Sequence, residues 1–253
     1  MTLKDFNNKH IGKTIFITGD SPEMLELSNE QMVNKITIAC NYSHMVYNPT
    51  YWIGAHIFHT LYSINFCSPE TIKFFSKGTQ EEHSEWIMDN GDEDMIIPIL
   101  CSYDINDLSK GSNKIFGCMN IGMTATGLAY YMGASKIVYI GFSQRGITHF
   151  YDININYKQE LTYNIKYILS KYKYKDKEEY DHGMGEAPII LEKMNKDYNV
   201  TKSTKISGYN DNLDAFTNCF DKLKQNNIQI ISTEQDSILV EAGAEFIPLE
   251  NML

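Results

Sequence analysis

The feature that most restricts the fold is a recurring unit. A run of β-branched and aromatic residues breaks off at a glycine or asparagine, and apolar residues at helical spacing follow. Thr14–Thr18 stops at Gly19, and Pro22 then suits the first turn of a helix carrying Met24, Leu25 and Leu27. Residues 35–40 form a second such run, closed by Asn41, and 95–100 a later one. The small and apolar residues 117–132 suit a buried helix stopped by Gly133, after which Lys136–Ile140 runs into Gly141. Near the end, residues 212–223 place Leu213, Phe216, Phe220 and Leu223 on one helical face, and the apolar run 228–231 follows a polar break. Strands alternating with helices predict an α/β fold: a parallel sheet with helices on both faces.

The segment 154–205 departs from this pattern. It is rich in Tyr and Lys, carries a charge run over 171–179, and shows sustained apolar spacing only around 161–169. The expected organisation is therefore a core over 1–153, a helical, lid-like insertion over 154–205 before the late helix, and a return to the core over 206–253.

Composition narrows the function classes. The formal charge of -10 supplies no general field for nucleic acid. The five cysteines are odd in number and never spaced C-x-x-C, which argues against a disulfide framework and a zinc knuckle and favours a reducing, cytoplasmic setting. The N-terminus is polar and no window approaches the roughly 18 apolar residues of a membrane span, so a soluble, unprocessed chain is expected. Of 22 basic residues, Arg145 alone is arginine, so any forked grip on a phosphate falls to it or to other donors.

Open parallel sheets bind ligands beyond the carboxyl ends of their strands. Gly19, Asp20 and Ser21 occupy such an end, where glycine lets the backbone approach a ligand and a following helix presents free N–H groups to an anion. An ordinary strand-to-helix turn has the same composition. Three other signals are decoys. Gly12-Lys13-Thr14 mimics the end of a phosphate-binding loop but precedes a strand. His56 and His59 have metal-ligand spacing without a third ligand, so core histidines are expected. Asp92-Glu93-Asp94 adjoins Asn90-Gly91 and reads as a solvated turn, and no metal ligand is assigned.

"IFITGDSP", then Cys40-Asn41, then "GMTATGLAYYMGASKIVYIGFSQRGITHFYD" over 122–152, and finally "IQIISTEQDSILVEAGAEFI", together resemble the Campylobacter-type sialyltransferases and the motility-accessory-factor flagellin glycosyltransferases. That superfamily includes uncharacterised phage and bacterial members and an archaeal pterin diphosphokinase. The resemblance implies a Rossmann-like domain that binds a CMP- or UDP-type sugar nucleotide as donor substrate. It places Gly19, Asp20 and Ser21 near the phosphate and Asn41 near the nucleoside. It adds Asn120, Ile121 and Gly122 at the start of the central helix, and Tyr151 with neighbouring His149 after the next strand. Asp20 stands where the family usually has Asn, no arginine precedes Gly122, and the stretch 206–210 lacks the family's histidine.

A base is needed to activate an acceptor hydroxyl, and His149 and His182 are the candidates, with Asp181 beside His182 able to hold or replace it. Arg145, in the loop after Gly141, is the candidate phosphate clamp. The leading expectation is a glycosyltransferase acting on an acceptor hydroxyl of a glycan, a protein or a modified phage DNA base, the last being the one way DNA enters as a partner. Two alternatives stay open. One is a diphosphokinase acting on a pterin-like hydroxymethyl substrate, which would need ATP and Mg2+ and give Asp20 and 92–94 a use. The other is a non-catalytic nucleotide-binding module. No cofactor is certain, and neither oligomeric state nor acceptor is legible.

Overall fold

In the computed structural model of the chain, the described residues are 1–77, 96–102, 114–117, 120–143, 149–171 and 209–253. Among the described residues nine strands form one sheet: β1 (Thr14–Thr18), β2 (Ile36–Cys40), β3 (Tyr51–Gly54), β4 (Ile72–Lys77), β5 (Ile96–Ser102), β6 (Lys114–Phe116), β7 (Lys136–Ile140), β8 (Gln229–Ser232) and β9 (Glu245–Phe246). Their order is β6-β5-β4-β3-β2-β1-β7-β8-β9, and every pairing is parallel. The chain builds outward from β1 to β6, then crosses to β7 on the other side of β1. The order therefore reverses at the β1–β7 seam, which makes that seam the topological switch point.

The strands bury both faces, as a parallel sheet must. Ile15, Ile17, Ile38, Ile137 and Tyr139 point to one side, against Met123 and Leu128 of α3 (Ile121–Tyr131) and Phe216 and Phe220 of α6 (Tyr209–Gln225). Their sequence neighbours Phe16, Ala39, Val138 and Ile140, with Trp52, point to the other side, against Phe58 and Leu61 of α2 (Ile57–Phe66) and Leu161, Ile165 and Ile168 of α5 (Ile155–Lys171). The period of two along each strand divides the residues between the two cores. Three single-turn α-helices are also present among the described residues: α1 (Asn29–Met32), α4 (Phe150–Ile153) and α7 (Ile238–Glu241). Among the described residues, no helix is long and apolar enough to cross a membrane.

The α/β architecture expected from the alternating pattern is the one observed. Thr14–Thr18 and Lys136–Ile140 are strands with the expected bounds. Pro98 is accommodated within β5 because β6 pairs only from Leu100 onward, leaving β5 one neighbour at the proline. Two expectations are corrected. The segment after Pro22 is a short 3-10 helix, Pro22–Glu26, because Ser28 begins a second helix with its own capping box: its N–H donates to Gln31 Oε1 and its hydroxyl accepts from the Gln31 N–H. The central helix starts at Ile121 rather than at 117, since Asn120 Oδ1 accepts the Met123 N–H and caps it there. The first part of the expected helical insertion is α5, whose Leu161, Ile165 and Ile168 are fully buried against the sheet. The rest of that segment lies outside the described residues.

Candidate active site

Two seams flank the carboxyl end of β1, and their chemistry differs. At the β1–β7 seam the turns after the two strands press together. Gly141 has φ +77°, and a Cβ on Gly19 would lie 2.3 Å from the Gly141 carbonyl oxygen, so both positions need glycine. The Gly19 N–H donates to Ile140 O (2.9 Å) and the Ser21 N–H to Gly141 O (3.0 Å), while the Gly141 N–H donates to Glu23 Oε2 (2.8 Å). The Ser21 hydroxyl donates to Glu234 Oε1, from the turn after β8. Burial raises the Glu234 carboxyl to about 7, with help from the charge of Glu23, which burial also raises. The donors that suit Gly19 and Ser21 to phosphate are thus committed to protein acceptors, and two carboxyl groups close this side of the turn.

The β1–β2 seam is organised around Asp20. Asn41, in the left-handed region at φ 48°, ends β2, and its carbonyl accepts the Trp52 Nε1–H (2.7 Å) and the His44 Nδ1–H (2.8 Å). Burial lowers His44 to about 4, so the ring is neutral, and the carbonyl assigns its proton to Nδ1. Beneath, the Thr18 hydroxyl donates to Ser43 Oγ (3.0 Å) and lies 2.8 Å from the Tyr47 hydroxyl, tying the two strand ends together. Asp20 itself is half-buried, but its Oδ1 is sealed from solvent and has no hydrogen-bond partner among the described residues. Burial raises its carboxyl to about 7, against the lowering effects of His149, the Asn41 side chain and the Tyr42 and Ser43 N–H groups.

The start of α4 lies against this turn, where the Phe150 N–H donates to Asp20 O (3.0 Å). His149 is the N-cap. Its backbone N–H (2.9 Å) and ring Nδ1 (3.1 Å) both donate to Asp152 Oδ2, and the ring stacks on Tyr151 at 4.8 Å and 7°. The carboxylate holds the proton on Nδ1 and leaves a lone pair on Nε2, on a side chain 39% exposed. Tyr151 meets Tyr42 edge-on at 5.6 Å, and Tyr42 meets His59 at 4.8 Å. His59 is buried and lowered to about 3 by desolvation, so it is a neutral core ring, while His56 is exposed at the start of α2. An imidazole with an orienting carboxylate is therefore carried by the helix start that hydrogen-bonds the Asp20 backbone, on the turn whose carboxyl group burial raises to about 7.

Gly19, Asp20, Ser21, Asn41, His149 and Tyr151 are gathered at the ends of β1 and β2 and the start of α4. Asn120, Ile121 and Gly122 lie at the start of α3, packed against the turn after β7: a Cβ on Gly122 would sit 2.8 Å from the Phe142 ring. The Asn120 side chain is occupied at both ends, as the cap of α3 and as donor to Asn212 Oδ1 of α6 (3.1 Å). Arg145, Asp181, His182 and the acidic run 92–94 lie outside the described residues. No group of three side chains suited to a metal ion is present among the described residues. Asp152 was not singled out in the sequence, although its place three residues after His149 is the capping-box spacing that would have found it. Glu234 carried no local signal, because its partner Ser21 lies at the opposite end of the chain.

No family model and no curated protein matches the chain. Among solved structures, it is similar to the sialyltransferase CstII from Campylobacter jejuni in complex with a substrate analogue, cytidine-5'-monophosphate. The TM-score is 0.47 at 12% identity, covering 94% of this chain and 86% of that one. A likeness of this degree says nothing about activity or ligand.

Proposed function

We propose that the chain is a glycosyltransferase that binds a CMP- or UDP-type sugar nucleotide at the carboxyl edge of the sheet and transfers the sugar to an acceptor hydroxyl. The observation that carries this reading is His149, oriented by Asp152 and set against Asp20 at the end of β1. In this reading His149 Nε2 accepts the proton of the acceptor hydroxyl as its oxygen attacks the anomeric carbon, and the nucleotide leaves through its phosphate oxygen. Tyr151 stacks on the imidazole and limits its rotation. The acceptor classes remain a glycan, a protein or a modified phage DNA base. Support also comes from the order of the sequence motifs, which bring Asn41 and Tyr151 to the same seam.

The test is a thermal-shift screen of CMP, CDP, UDP, ADP and ATP, each with and without magnesium, because a ligand of the native state raises apparent stability. A cytidine or uridine response that does not need magnesium is the expected outcome. A response confined to ATP with magnesium would replace this reading with diphosphate transfer. A response to nucleotides without turnover of any CMP- or UDP-sugar, even as hydrolysis, would leave a binding module.

A further inference from the structure

We propose that the outer face of α5, together with the end of α4, docks on an anionic membrane surface. Exposed apolar side chains are not spread evenly over the chain. Of the nine large apolar side chains exposed among the described residues, Ile153, Ile155 (62%), Tyr163 (71%) and Tyr167 all lie on these two consecutive helices, while the other five are scattered singly over separate elements. Single exposed apolar residues are ordinary, whereas a set gathered on one face marks a contact surface. Ile155, Tyr163 and Tyr167 stand at helical spacing on α5, on the side opposite Leu161, Ile165 and Ile168, which are buried against the sheet. The inner stripe anchors the helix in the fold. The outer stripe adds no burial to it, although Tyr167 is held in place by the Phe66 ring at 5.7 Å.

Charge selects the occupant. α5 carries Lys158, Lys166 and Lys171 against a single acid, Glu160, in a chain whose formal charge is -10. Lys166 and Lys171 are exposed, and Lys171 lies over the Tyr167 ring at 5.7 Å while its ammonium donates to Asn65 Oδ1 (2.6 Å). A basic face on an acidic protein fits an anionic surface and turns the acidic remainder away from it. Tyrosine rings suit the depth of the headgroups, isoleucine the acyl boundary beneath, and a lysine stem can lie along apolar surface with its ammonium among the headgroup charges. Lysine is depleted from the centres of protein–protein interfaces, so its mixture with tyrosine here favours a lipid surface over a second protein. The helix would lie on the bilayer, since among the described residues none is long and apolar enough to cross one. His149 caps α4, so the docked face adjoins the candidate base.

The experiment is co-sedimentation of the full chain with vesicles of phosphatidylcholine alone and of phosphatidylcholine with an equal part of phosphatidylglycerol, at low and high salt. Wild type should bind the anionic vesicles, bind the neutral ones at least about tenfold more weakly, and be released by salt. Lys166→Ala should weaken binding about fivefold, and Tyr163→Ala by about the same factor. Both side chains face solvent, so circular dichroism should show an unchanged fold. Lys4→Ala removes the same charge from an exposed site in the N-terminal segment and should leave binding within about twofold of wild type. Equal losses in Lys4→Ala and Lys166→Ala would mean that net charge alone acts, and no binding of wild type to the anionic vesicles would remove the membrane. Either result overturns the inference. A dimer in sedimentation velocity that Tyr163→Ala dissolves, without vesicle binding, would assign the face to a second copy and overturn it as well. None of these outcomes depends on the nucleotide screen, so membrane docking and the glycosyltransferase reading stand or fall separately.

Discussion

The two seams beside β1 begin from the same element and end in opposite chemistry. On the β7 side, two glycines let the turns touch, and backbone N–H groups, a serine hydroxyl and two glutamates satisfy one another. On the β2 side, a carboxyl oxygen has no partner and an imidazole is oriented with a free lone pair. The topological switch point is the usual place for a ligand in an open α/β sheet. Here the reversal of strand order lies at β1–β7, but the unpartnered Asp20 oxygen and the oriented His149 ring lie one strand over. A switch point supplies a crevice only where the turns leave it open. In this chain close approach of Gly19 and Gly141 fills it.

Four substitutions break or sharpen that contrast. His149→Ala removes the proton acceptor of the open seam and should lower sugar-nucleotide turnover by about 10²–10⁴-fold with the fold intact, as read by circular dichroism. Gly19→Val attacks the closed seam. Position 19 at a strand end suggests an effect on binding alone, but the added Cβ would meet a backbone oxygen at 2.3 Å that cannot rotate away, so the larger effect is on folding. A loss of roughly 3 kcal/mol, seen as a Tm lower by about 6–12 °C, is expected. A folded Gly19→Val with wild-type Tm would show that the seam is not packed as described.

Asp152→Asn should reduce turnover by roughly one to two orders of magnitude, because the amide no longer fixes the proton on Nδ1. The smallest effect concerns Glu234. Its value in the folded protein, about 7, lies above the ordinary 4.5, so the folded state holds a proton that the unfolded chain has already released between those values. Stability from this group is complete below about pH 4.5 and is lost as pH rises through 7. Glu234→Gln should remove that decline and stabilise the protein by about 1 kcal/mol at pH 8, while making little difference at pH 4.5. An unchanged pH profile of stability would mean that Glu234 is ionised throughout.

Much of the fold was legible because it is written in local patterns. β1 and β7 follow from β-branched runs ended by glycine, and α6 from apolar residues on one face. Tyr51–Gly54 and Ile72–Lys77 were not legible, since four to six residues with both faces buried do not alternate apolar with polar and acquire their register only from the neighbouring strands. In α5 the exposed face is rich in Tyr and Lys, and only the apolar spacing of Leu161, Ile165 and Ile168 marks the face that packs on the sheet.

The sequence by itself determined the alternation of strands and helices, the glycines at the strand ends, and a short list of polar residues near them, because turn chemistry and periodicity act over a few neighbours. Tertiary structure decided which of those residues share a site. It joined Ser21 to Glu234 across the length of the chain, closing one seam, and brought Asp20 beside Asn41 and His149, leaving the other open. It also set the protonation of Asp20. Burial, the fixed N–H groups of a neighbouring strand end and the charge of a histidine on another element all act through space, and none of them can be read from the residues on either side of position 20.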